Sequence, residues 1–312
     1  MTAESFHIKD HHPVNRGFAW LLLSYLCGTI TYIMTKYILT FMTEMDFLCW
    51  WYGLGLVFHA AYAMKTGSIP LEKLEPNHRG MLALYVVLDA IATYSFFFSL
   101  RMMDPSVVSF FSQSQIIFTI LLGFVFLREI LEKREITATG IIIAGMCIMT
   151  YRSAAVPLKG AVSLLFSFFC GSICLVIVRK ISSRVGAVTI GRLRTVVLFV
   201  LFLGVDIAMN GRVFVPLAPL FFVILLGAFF GPFLNVIAVY KSLEYIPAGK
   251  FAIFNSILPL FVTGAAAVFL HSFPGVRETF GGIIIVLGCI VLAYFHAGHM
   301  IDRKIPLRSL WR

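Results

Sequence analysis

The side chains with the most chemical potential are few, and they lie inside long apolar stretches. Asp89 stands in the middle of LYVVLDAIATYSF, too deep for a short side chain to reach water at either end. An ionisable group at the centre of a membrane helix costs on the order of 2.5–3.5 kcal/mol, so it needs an interior partner or a function. Burial favours its neutral form, which makes Asp89 a candidate proton carrier; the competing role is a hydrogen-bonded aspartate that locks two helices together. Arg194, in GRLRTVVLF, and Lys250, in AGKFAIF, stand nearer the ends of their stretches. From there they could draw a carboxylate or phosphate into a vestibule, or simply extend to the membrane surface as long cationic side chains do. Arg192, Lys241 and Glu244 lie closer still to the ends and fit interfacial or paired roles.

Uncharged polar residues form a second set: Ser112, Gln113, Ser114, Gln115, Asn235, Asn255 and Ser256. They could hydrogen-bond a solute, or tie helices together for about 0.6–2 kcal/mol each. Tyr94, beside Phe96 to Phe98, could stack on an aromatic or cationic solute. Pro259 and the Gly231-Pro232 pair can break helices next to these polar groups. Gly227 and Gly231 form a GxxxG, a signal for close helix packing. His59 is expected to be packed or interfacial. Catalysis is not indicated: no HExxH, GxSxG, Walker loop or Cys-x-x-Cys appears, and Glu129, Glu132 and Glu135 alternate with basic residues in a solvated loop. The six cysteines all fall in apolar stretches and have no metal spacing. His7, His11 and His12 belong to a polar tail. No cofactor, metal or enzyme activity is therefore expected.

These groups have to be positioned by membrane helices. Of 312 residues 60% are hydrophobic and 13% charged, and mean hydropathy is +0.92, too few charges to cover a water-facing surface. The apolar residues gather in runs of about 18–25, the length that crosses a bilayer core. Without period-two alternation a barrel is excluded, leaving helices. Ten are expected, near 17–39, 47–64, 79–101, 105–127, 136–152, 159–179, 188–209, 216–240, 248–270 and 280–297. Lys and Arg then divide nineteen against six in favour of the side holding both termini, which places the termini in the cytoplasm of a cell with this chain in its inner membrane. The net charge of +10 reflects this bias, with no basic stripe for nucleic acid. The polar N-terminus lacks the apolar core of a cleaved signal, so the first span is expected to be retained.

The last two spans of each half are related. Pro105 opens a span ending at Phe126-Leu127, followed by GIIIAGMCI from Gly140; Pro247 opens one ending at Phe269-Leu270, followed by GIIIVLGCI from Gly282. Ser99-Leu100 likewise matches Ser242-Leu243, and the offset stays at 142 to 143 residues. At an offset of 143, Ser112 corresponds to Asn255 and Gln113 to Ser256. A five-span unit is odd, so its second copy enters the membrane from the opposite face. The expected fold class is an all-α integral membrane protein with ten transmembrane helices in a five-plus-five inverted repeat. Its parts are an N-terminal tail (1–16), the two repeats (17–154 and 155–298) and a basic C-terminal tail (299–312).

The two five-span halves, Tyr240 to Leu243 (Tyr-x-Ser-Leu), Pro247-Ala248, Leu258-Pro259 and Phe126-Leu127-Arg128-Glu129 resemble the drug/metabolite transporter superfamily, in its EamA-type branch. The resemblance implies a central cavity lined by spans three, four, eight and nine with parts of one, two, six and seven, and spans five and ten at the periphery, sometimes at a homodimer contact. Departures are His271-Ser272 where the first half has Glu129, and Lys250 where a small residue is usual; the sugar-nucleotide signatures are absent. The function implied is secondary active transport of a small organic metabolite, an amino acid or related anion, by alternating access, with proton coupling or exchange. A carrier or flippase of a phosphate-containing substrate is the alternative, and a membrane enzyme a third. The expected substrate contacts are Asp89, Tyr94, Ser112, Gln113, Arg194, Asn235, Lys250 and Asn255, with Asp89 as the proton site; the expected partners are a small-molecule substrate and the lipid bilayer.

Overall fold

A computed structural model describes residues 12–66, 79–127, 133–151, 156–185, 187–211, 214–245 and 256–302. Every described element is helical. The first half holds α1 (His12–Ile38), α2 (Glu44–Thr66), α3 (Arg79–Met102), α4 (Pro105–Phe111), α5 (Ser114–Leu127) and α6 (Lys133–Thr150). The second holds α7 (Leu158–Val185), α8 (Ala187–Asn210), α9 (Ala218–Ala228), a π-helical segment (Phe229–Asn235), α10 (Val236–Tyr245), α11 (Leu258–Phe269) and α12 (Val276–Asp302). Five of these stretches are long and apolar enough to cross a membrane: Arg16–Ile38, Glu44–Lys65, Gly80–Met102, Ile190–Asn210 and Ala218–Val239. Large apolar side chains such as Leu22, Val57, Val200 and Phe222 are exposed on their outer faces, where lipid would solvate them.

Helix ends are fixed by local chemistry. Thr43 and Asp46 cap α2 reciprocally, the Thr43 hydroxyl donating to Asp46 Oδ2 at 2.6 Å and the Asp46 amide to Thr43 Oγ1 at 3.3 Å. Lys36 donates to the carbonyls of Leu100, Arg101 and Met103 at 2.8–3.0 Å, supplying donors to the end of α3. Asp104 caps α4 through the Ser106 amide and also receives the Ser272 hydroxyl, joining the two halves at this end.

Helices pair antiparallel across the halves. Along α3 and α7, hydroxyls and a thiol reach backbone carbonyls in reversed order: Ser99 to Gly160, Ser163 to Ser95, Ser167 to Ala92 and Cys174 to Tyr85. Along α2 and α8, Tyr52 stacks on Phe202, Gly53 lies against Phe199, and Gly55 against Thr195. The two sequence-matched segments also face each other head to tail on α6 and α12. There a Cβ on Gly145 would stand 2.9 Å from the Gly281 carbonyl oxygen, and Ile142 packs on Gly288. Glycine is required at that crossing because backbone meets backbone.

Four expected spans differ in detail. The one expected over 105–127 is interrupted at Ser112-Gln113. There backbone bonds shift to the shorter i to i−3 pattern, Gln113 to Phe110 and Ile116 to Gln113, while the hydroxyls of Ser109 and Ser112 take the carbonyls of Ser106 and Ser109. The eighth span widens into the π-helical segment around Pro232, which has no N–H to give to the preceding turn. Finally, α1 begins at His12, ahead of the expected Gly17, and α12 runs on to Asp302.

Candidate functional site

Two carboxylate oxygens and one guanidinium meet at the centre of the bundle. Arg194 extends from α8, and its Nε lies 2.8 Å from Asp89 Oδ2 on α3 while Nη2 donates to Asp89 Oδ1 at 3.2 Å and Thr93 Oγ1 at 3.3 Å. Thr93 is one turn after Asp89, so α3 offers both acceptors on one face. The planar guanidinium matches a carboxylate in this forked arrangement. Its central carbon lies 5.7 Å from the centroid of the Tyr52 ring on α2, adding a cation–π contact. Asp89 on the first half and Arg194 on the second thus neutralise each other where either alone would be costly.

The pair borders a cavity of about 260 Å³. Its walls come from α1, α2, α3, α5, α7, α8, the π-helical segment and α10. Its aromatic lining is Trp51, Tyr52, Phe96, Phe97 and Phe168. Its uncharged polar lining is Thr31, Thr93, Gln115, Ser167 and Asn235. Thr31 and Ser167 spend their hydroxyls on the carbonyls of Cys27 and Ala92. The amides of Gln115 and Asn235 bond to no other described residue, so their donors and acceptors are available to a solute. A cavity this size, lined by both polar groups and rings, admits a small organic molecule that carries both kinds of surface.

The π-helical segment shapes this site. Gly227 and Gly231 leave room for the Trp51 indole: a Cβ on Gly227 would stand 2.6 Å from it, and one on Gly231 closer still. The GxxxG therefore receives a side chain from α2. The Pro232 carbonyl receives a hydrogen bond from His59 Nε2 at 3.0 Å. His59 is 1% exposed and stands edge-on to Phe233, a packed residue that holds the bulge.

The structure brings Asp89, Arg194 and Asn235 of the expected residues to one cavity. Ser112 and Gln113, at the α4–α5 break, do not line it and Gln113 is fully enclosed, whereas Gln115, the second residue of α5, reaches the cavity. Tyr94 turns away and stacks on Phe98. Lys250 and Asn255 fall outside the described residues. Sequence reasoning singled out neither Thr93 nor the Trp51–Gly231 contact. Thr93 was detectable from its four-residue spacing to Asp89; the indole slot needs tertiary structure.

No functionally curated protein matches the chain. A solved structure described as "Crystal structure of protein" is similar over 92% of this chain and 98% of its own, with a TM-score of 0.66 and 12% identity, a likeness of fold alone. The model of the EamA-like transporter family matches twice, over residues 15–151 and 158–294. With both halves matched and its helices apolar, this multi-pass membrane protein belongs to the EamA-like transporter family.

Proposed function

We propose that the chain is a secondary active carrier that moves a small organic metabolite, an amino acid or related carboxylate, by alternating access between two inverted five-span repeats. The observation that carries this reading is the Asp89–Arg194 pair, which closes a mixed polar and aromatic cavity with one residue from each half. A solute carboxylate entering the cavity competes with Asp89 for Arg194, the aromatic wall takes its apolar part, and releasing Asp89 frees the halves to rock. The antiparallel pairings support the inversion. In a repeat of this register the α1–α10 contact is the counterpart of α3–α7, while α2–α8 and α6–α12 each pair a span with its own equivalent. The positive-inside bias supports an inner-membrane location with both termini cytoplasmic. A homodimer would use the outer faces of α6 and α12, where Ile141, Ile143, Ile283 and Leu287 are exposed.

The phosphate-substrate alternative has less support, because Arg194 is the one cation among the described cavity-lining residues and a phosphate brings up to about two negative charges. A thermal-stabilisation panel of amino acids, amines, nucleotides and phosphorylated metabolites on purified protein tests the choice, since a ligand stabilises in proportion to RT ln(1 + [L]/Kd). Carboxylates should stabilise the protein, and Arg194→Gln should abolish the shift. Stabilisation confined to phosphorylated compounds would reverse the ranking.

A further inference from the structure

A carrier of this kind can be driven by an ion, and Asp89 is poorly placed to bind one because both of its oxygens lie against Arg194. A second carboxylate is placed differently. Asp206 lies on α8, twelve residues and about 18 Å beyond Arg194. It is 0% exposed. Its Oδ1 accepts the Asn210 amide at 2.6 Å, and Oδ2 has no partner.

Among the described residues, none around Asp206 brings a charge that would offset its own. From α2, the Cys49 thiol donates a hydrogen bond to it and Asp46 is close by. Asp46 is already committed to the Thr43 hydroxyl and, at 3.4 Å, to the Phe214 amide. The other elements packed on α8 are α3, α7 and α10. Of these, α3 brings Asp89 to Arg194, and among the described residues none brings a cation to Asp206. An enclosed carboxylate without a cation beside it is a group that can exchange a proton when its surroundings change. Asp206 also lies in the seam between α2 and α8, which joins the two halves and continues through the Tyr52–Phe202 stack to Tyr52 and Arg194.

We propose that Asp206 is a proton-binding site of the transport cycle. With the seam closed, the carboxyl group holds its proton on the unpartnered oxygen; when the α2–α8 seam opens, water reaches the group, the O–H bond breaks, the proton leaves to water and the carboxylate remains. Because α8 also carries Arg194, a movement of this helix that wets Asp206 acts on the Asp89–Arg194 pair as well. The proposal rests on the carrier function given above and assigns it a coupling ion and a residue.

The test uses the full chain carrying Cys147→Ser, which removes the exposed thiol among six free cysteines, and Ala92→Cys as a reporter in the cavity wall. The protein is reconstituted in liposomes and labelled by a membrane-impermeant maleimide from either face, in acidic and alkaline buffer. The expected result is labelling from both faces, with an inside-to-outside ratio that shifts several-fold with pH. The shift should vanish in Asp206→Asn. If Asp206→Asn does not reconstitute, Asp206→Glu decides: it should move the midpoint of the response, and an unmoved midpoint overturns the proposal. It is also overturned if Asp206→Asn responds like its parent, if the parent does not respond to pH, or if sodium at fixed pH replaces the proton. Labelling from one face only, at every pH, would instead overturn the carrier function, and the proposal with it.

Discussion

Arg194 Nε and Asp89 Oδ2 lie 2.8 Å apart across the division between the two halves of the chain. The two residues are the only oppositely charged pair among the described cavity-lining residues. Removing one partner leaves a charge in apolar surroundings, whereas removing both leaves none. Arg194→Ala should therefore lower stability by about 3 kcal/mol, and adding Asp89→Asn should restore much of it. Thermal unfolding in detergent measures both.

Binding and turnover should separate at this pair. With Asp89→Asn, Arg194 no longer has a resident anion, so a carboxylate solute should bind about tenfold more tightly, about 1.4 kcal/mol, while transport falls. Arg194→Lys keeps the charge but loses the forked geometry, and should weaken binding and transport together. Titration calorimetry alongside liposome uptake distinguishes these patterns.

The Trp51 slot makes a coupled prediction. A methyl group on Gly231 meets the indole, so Gly231→Ala should cost about 1–3 kcal/mol through overpacking. The same change in a Trp51→Ala background should cost much less, and a double-mutant cycle on thermal stability would expose the interaction. Additive effects would show that the indole does not fill this slot.

The α6–α12 crossing should matter for stability and little for the cavity. Gly145→Leu places a side chain against the Gly281 carbonyl and Ile285, and a backbone at that distance has no room to yield. The loss should reach about 2 kcal/mol or more, with solute affinity in the surviving folded protein near that of the parent. A thermal scan with and without solute separates the two effects.

Much of the fold is legible in the sequence because lipid imposes strong rules. Apolar run lengths locate the helices, and the offset between GIIIAGMCI and GIIIVLGCI exposes the related halves that pack antiparallel on α6 and α12. The breaks were legible to different degrees. Pro232 announces the π-helical segment, whereas the interruption at Ser112-Gln113 arises from serine hydroxyls competing for carbonyls, which the residue types permit but do not require. At the site, the cost of burying charge singles out Asp89 and Arg194, but no pattern in the chain says that residues 105 positions apart pair with each other. Nor does polarity alone say which polar residue faces the cavity: Gln115 does and the enclosed Gln113 does not, a matter of helix phase that the break itself resets. Asp206 drew no notice in the sequence because it sits near a helix end, where water is expected; only the packing of α2 shows it enclosed.

Counterflow tests the central claim most directly. Liposomes containing the protein and loaded with an unlabelled solute that stabilises it are diluted into a trace of the labelled solute. A cavity exposed to one side at a time exchanges the two, so label should rise inside above its external concentration and then decay, and Arg194→Gln should abolish the overshoot. Label that only equilibrates, with or without internal solute, would contradict alternating access through the Asp89–Arg194 cavity.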